Sequence, residues 1–148
     1  MKNLTVNSAF GQLLTTQSVA GSGSAAATSR FDVAGAETVT ILLALGEVDA
    51  ATTITFKLTQ SDAASSGNTK DIDGAALASV VTAGKNSLYA ITVNANQLDA
   101  TNGYRYVGAS YTITNTKNVL MSVVAISSRL RSAPPASSGL AQNVLVTH

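Results

Sequence analysis

Four segments of this chain alternate apolar and polar residues with a period of two. Val39, Ile41, Leu43 and Leu45 share one face, with Thr38 and Thr40 on the other. Ile54, Phe56 and Leu58 alternate with Thr55, Lys57 and Thr59. Tyr89, Ile91 and Val93 alternate with Ala90, Thr92 and Asn94, and Val107, Ala109, Tyr111 and Ile113 with Tyr106, Gly108, Ser110 and Thr112. Successive side chains of a strand point to opposite faces, so this period predicts strands with one buried side and excludes amphipathic helices there. Phe31 and Val33 predict a short strand ahead of these. Val119 to Ser128 is apolar on both faces, with Met121, Val123 and Ala125 on one and Leu120, Val124 and Ile126 on the other. Such a strand is central, or is covered by a second partner on its outer side.

The breaks between these segments agree with an all-β chain. Asp62 to Lys70 reads as a loop, and Asn96 to Gly103 contains a turn. Asn115-Thr116-Lys117-Asn118 predicts a short hairpin connection. The Ala-rich stretch Asp73 to Asn86 has room for one helical turn near Ala75–Val81. Six or seven strands with irregular loops and no long helix predict an antiparallel β-sandwich or jelly roll.

Three zones follow. Residues 1–29 read as an extended N-terminal arm, with apolar anchors Leu4, Val6, Phe10, Leu13, Leu14 and Val19 that a free linker would not need. Fully extended, such an arm reaches about 95 Å. Gly21-Ser22-Gly23-Ser24 reads as a flexible hinge. Residues 30–131 form the β body, and 132–148 a C-terminal tail. Pro134-Pro135 stops strand pairing there, and Asn143 to Thr147 is β-prone. A lone strand seeks a sheet edge, of its own chain or of a neighbour. Val144 and Val146 join Leu4, Val6, Phe10, Leu13 and Leu14 as the candidate interface anchors.

Composition excludes several function classes. Nine Lys and Arg against eight Asp and Glu leave a net charge of +1, so there is no basic excess to neutralise phosphates, and nucleic-acid binding is not expected. Of the 67 hydrophobic residues, 24 are Ala, while Ser and Thr number 35 in 148 residues, giving a hydroxyl-rich rather than charged surface. The longest apolar run, Ile41 to Leu45, is far below the ~20 residues of a membrane span. No apolar run near the start has the ~7–15 residues of a secretory signal, so neither export nor a membrane is expected.

The absence of Cys removes disulfides and thiolate metal sites. The single histidine is His148, so a Ser–His–Asp arrangement lacks a placed base. Gly21-x-Gly23-x-x-Ala26 lacks the βαβ context of a dinucleotide loop. Asp71-Ile72-Asp73-Gly74 resembles a fragment of a calcium loop, but Thr82 stands where the bidentate Glu belongs, and a turn explains it better. No catalytic residues, cofactor or metal are expected. Tyr104 and Tyr106 share a face and are the candidates for an exposed sugar-stacking contact. They support a second reading, a phage tail or fibre module that binds host glycans.

The run Ile54 to Asp62, Asp71 to Gly74, Gly103 to Val107, Val123 to Ile126 and Arg129 to Pro134 together resemble small head proteins of tailed bacteriophages, the capsid decoration or cement proteins. The resemblance covers about residues 38–135. It implies a non-enzymatic β-rich body, made in the bacterial cytoplasm, that oligomerises on the outer surface of the virion head and bridges subunits of the major capsid protein. A homo-oligomer is implied, with a trimer preferred over a dimer.

Overall fold

The computed structural model describes residues 8–48, 51–80, 86–115 and 118–128, and the backbone of 142–145. Its elements are β1 (Ser8–Ala20), β2 (Ala25–Ala27), β3 (Phe31–Asp32), β4 (Thr38–Leu45), β5 (Ile54–Ser61), β6 (Thr69–Ala76), β7 (Leu88–Asn94), β8 (Tyr106–Ile113), β9 (Asn118–Ser128) and β10 (Gln142–Leu145). Two single-turn 3-10 helices, Ala95–Gln97 and Ala100–Asn102, lie between β7 and β8.

The strands pair as a nested ribbon. β1 pairs with β9, β2 and β3 lie end to end along β8, β4 pairs with β7, and β5 with β6, all antiparallel. Folding that ribbon brings β4 against β9 and β5 against β8. The result is two sheets, β1-β9-β4-β7-β10 and β2-β8-β5-β6. Counting β2 and β3 as one broken strand, the first nine strands give the eight-stranded jelly roll, an antiparallel β-sandwich. β10 is added outside this scheme, parallel to β7.

The inward residues are those the period-two pattern marks. Ile41, Leu43, Ile54, Phe56, Leu58, Ile91, Val93, Val107, Met121 and Val123 are all buried between the sheets. Stripping water from each such side chain contributes roughly 1.5–3 kcal/mol gross.

Several expectations are corrected. Residues 8–20 do not leave the body as an arm. They form the edge strand of the first sheet, from Ser8↔Ser128 to Ala20↔Asn118, with two register shifts. The physical reason is the open edge of β9, whose backbone donors and acceptors β1 satisfies. The stretch expected as a hinge is the corner between the sheets. Gly23 turns it at φ 69°, and Ala25–Ala27 then pairs with β8.

The segment Asn115–Asn118 does not close a hairpin. β8 and β9 lie in different sheets, so the connection crosses the sandwich. No helical turn forms over residues 75–80. Ala75 and Ala76 end β6, the Leu77 N–H donates to the Phe56 carbonyl, and Val80 bridges Ile54. Val81 lies outside the described residues. Asp71 to Gly74 belongs to strand β6 rather than to a loop. The register shift against β5 and the φ of 73° at Gly74 bulge the strand there, turning Ile72 and Ala75 into the core.

Candidate docking face

Because Val119, Met121, Val123 and Ala125 point inward, alternation sends Leu120, Ser122, Val124 and Ile126 out of the sandwich. Register extends this outer face across neighbouring strands. Val124 stands opposite Leu42 and Gln12, and Ile126 opposite Thr40 and Phe10. Leu42 and Ala44 in turn face Ala90 and Leu88.

The outward positions of β4 and β9 carry no charged residue. Three of their hydroxyls are paired locally, those of Thr38 and Ser128 with each other at 2.8 Å and that of Thr40 with Thr92 at 2.9 Å. Leu120 is 48% and Phe10 54% exposed, the large hydrophobic side chains most open to solvent among the described residues. An uncharged sheet face with exposed aromatic and aliphatic side chains favours a protein contact.

The structure sorts the predicted anchors. Of the N-terminal set, Phe10 alone among the described residues stands out into solvent. Leu13 is 3% exposed and belongs to this chain's own core, and Leu14 packs partly buried against it. The register shifts on either side of Leu14 alter the simple alternation, and Leu13 turns inward there. Leu4, Val6 and Val146 lie outside the described residues. Val144 is described by its backbone, paired with Ile91. Leu42 is the addition, hidden in the sequence because Ile41 to Leu45 reads as one continuous apolar run.

On the second sheet, the Lys57 ammonium meets Asp71 at 2.7 Å beside a cleft of about 330 Å³ floored by Thr55, Ser110 and Thr112. A second cleft, about 320 Å³, opens between β6 and the 3-10 segment, lined by Gln60, Lys70, Asp73, Gln97 and Asp99 among others. There Lys70 pairs with Asp99, and Asn102 Nδ2 donates to the same carboxylate. The hydrogen bond from Lys70, then that from Asn102, holds the Asp99 carboxyl below the usual range.

Tyr104 and Tyr106 are both partly exposed, and each has a cation over its ring. Lys70 Nζ lies 4.5 Å from the Tyr104 centroid, and the Arg105 guanidinium 5.1 Å from that of Tyr106. Arg105 also donates to the Tyr106 hydroxyl at 3.1 Å and to Asp32 at 2.7 Å, contacts that raise its pKa further. A sugar ring would have to use the remaining faces. Among the described residues, no three His, Cys, Asp or Glu side chains converge to hold a metal ion.

No protein-family model matches the sequence, and no curated protein matches it. Solved structures do. A chain in the structure of infectious bursal disease virus, Gx strain, superimposes with a TM-score of 0.53 at 9% identity, over 86% of this chain and 33% of that one. The likeness is one of fold. This chain therefore spans about a third of the viral chain's length. A chain in the structure of the Gt strain aligns over 81% of this chain and 41% of that one, also at 9% identity, with a TM-score of 0.29 that adds no weight.

Proposed function

We propose that this protein is a non-enzymatic structural component of a virus particle, and more specifically a decoration protein of a tailed-phage head. In this reading it sits on the outer surface of the head, contacts the major capsid protein and reinforces the joins between capsid subunits. It acts as a homo-oligomer, with a trimer preferred over a dimer.

The observation that carries the reading is the uncharged outer face of the first sheet, with Phe10 and Leu120 exposed on it. The jelly-roll frame supports it, because that architecture recurs in viral capsid domains as well as in lectins and cupins. A face on a rigid sheet loses little conformational freedom on docking, whereas a free arm loses about 1–2 kcal/mol per ordered residue. Several copies acting together add affinity beyond that of one face.

The test is co-sedimentation of the purified protein with phage heads that lack it. Binding is expected, with decorated heads surviving heating that ruptures bare ones. Phe10→Asp should weaken attachment at least tenfold. Protein that never pellets with any head lattice would sink the proposal.

A further inference from the structure

We infer that the outer edge of β7 is an exchange site, at which Gln142–Leu145 of one copy of the chain pairs along Tyr89–Thr92 of a second copy. The strand it replaces is that copy's own β10.

The jelly roll is complete without β10. Its pairings are antiparallel and nested, whereas β10 is appended in parallel over four residues, Gln142↔Tyr89 to Leu145↔Thr92. Without it, β7 is the edge of its sheet, and a poor one to leave open. Tyr89, Ala90, Ile91, Thr92 and Val93 are all buried, and Leu88–Asn94 contains neither a charge nor a proline.

Two other edges, β6 and β1, are protected. β6 carries Lys70, Asp71 and Asp73. β1 shifts register twice, and the Leu13 carbonyl accepts a hydrogen bond from the Ser29 N–H. β7 relies on an added strand instead.

Topology leaves open which copy supplies it. β9 and β7 both run antiparallel to β4, and β10 runs parallel to β7, so all three point the same way. Within one copy, the end of β9 and the start of β10 lie toward opposite ends of the sheet, with β4 and β7 between those strands. The 13 residues from 129 to 141 can span about 43 Å. That reach also serves an adjacent copy. The ladder formed is the same in either case, so concentration decides. A short flexible tether competes at about millimolar effective concentration, which chains packed side by side can match.

The chain has no cysteine, which makes the test clean. Ala90 and Asn143 stand opposite in register, and adjacent strands about 4.8 Å apart suit a disulfide. Ala90→Cys and Asn143→Cys single variants are mixed across a concentration series under mild oxidation. A disulfide-linked heterodimer is expected, rising with concentration and at least tenfold more abundant than homodimers of either variant alone. Thr92→Cys with Leu145→Cys repeats the test should the buried Ala90 position not tolerate a thiol. The double variant Ala90→Cys/Asn143→Cys should close internally when dilute and form linked oligomers when concentrated. Internal closure alone at every concentration, or no disulfide in any sample, overturns the inference. No shell is present in this experiment, so its failure is separate from failure of the decoration reading.

Discussion

The Phe31 ring sits so close to the backbone of Gly11 that a Cβ there would come within 2.3 Å of ring Cδ2 and 2.7 Å of Cε2. This contact fastens β1 of one sheet to β3 of the other, within the stretch expected to form a docking arm. Gly11→Ala must push a packed ring aside, a strain of about 1–3 kcal/mol. The melting temperature should fall. Combining it with Phe31→Ala should cost less than the sum of the two single changes, because the clash is then gone.

Leu13 and Phe10 are three residues apart on one strand and answer to different forces. Leu13→Ala opens a cavity in the core and should lower unfolding free energy by about 2–5 kcal/mol. Phe10→Ala, at a side chain 54% exposed, should change it by no more than about 0.5 kcal/mol. Urea unfolding of the two variants gives the comparison directly. Equal losses would mean that Phe10 is also a core residue.

A carboxylate placed on the outer face of the first sheet should weaken docking without unfolding the chain. Leu120→Asp is expected to keep the wild-type circular dichroism spectrum and to reduce head binding at least tenfold. Thr55→Asp, exposed on the opposite sheet, should bind normally. Reversed behaviour of the pair would assign docking to the second sheet.

Asp99 should titrate below the ordinary carboxylate value because Lys70 and Asn102 hydrogen-bond its charged form. Its folded pKa is depressed, so its contribution to stability is present above the unfolded value of about 3.9. That contribution is lost as pH falls through the lower folded value. Lys70→Met should move the Asp99 midpoint, followed by carboxyl carbon NMR, upward. A midpoint that does not move would show that the ion pair does not persist in solution.

The alternation of Val39 to Leu45, Ile54 to Leu58, Tyr89 to Val93 and Val107 to Ile113 was enough to recover the sandwich core, because burial on one face of a sheet imposes that period directly. The second apolar side of β9 was legible for the same reason, and with it Leu120, Val124 and Ile126 of the proposed docking face. The Asp71–Gly74 bulge was not, because loops and bulged strands use the same Asp and Gly residues for the same positive φ.

For β4, β5, β7, β8 and β9, local pattern thus determined that the stretch becomes a strand and which of its sides are apolar, since each residue's face depends only on its immediate neighbours. Partner choice was decided in three dimensions. Phe10, Leu13 and Leu14 announce an adhesive strand but not whose edge it adheres to, and the edge of β9 exists only once the ribbon has folded. The same holds for Asn115–Asn118, where a hairpin and a crossing between sheets have the same turn residues. Only burial of Val119, Met121 and Val123 against the facing sheet selects the crossing.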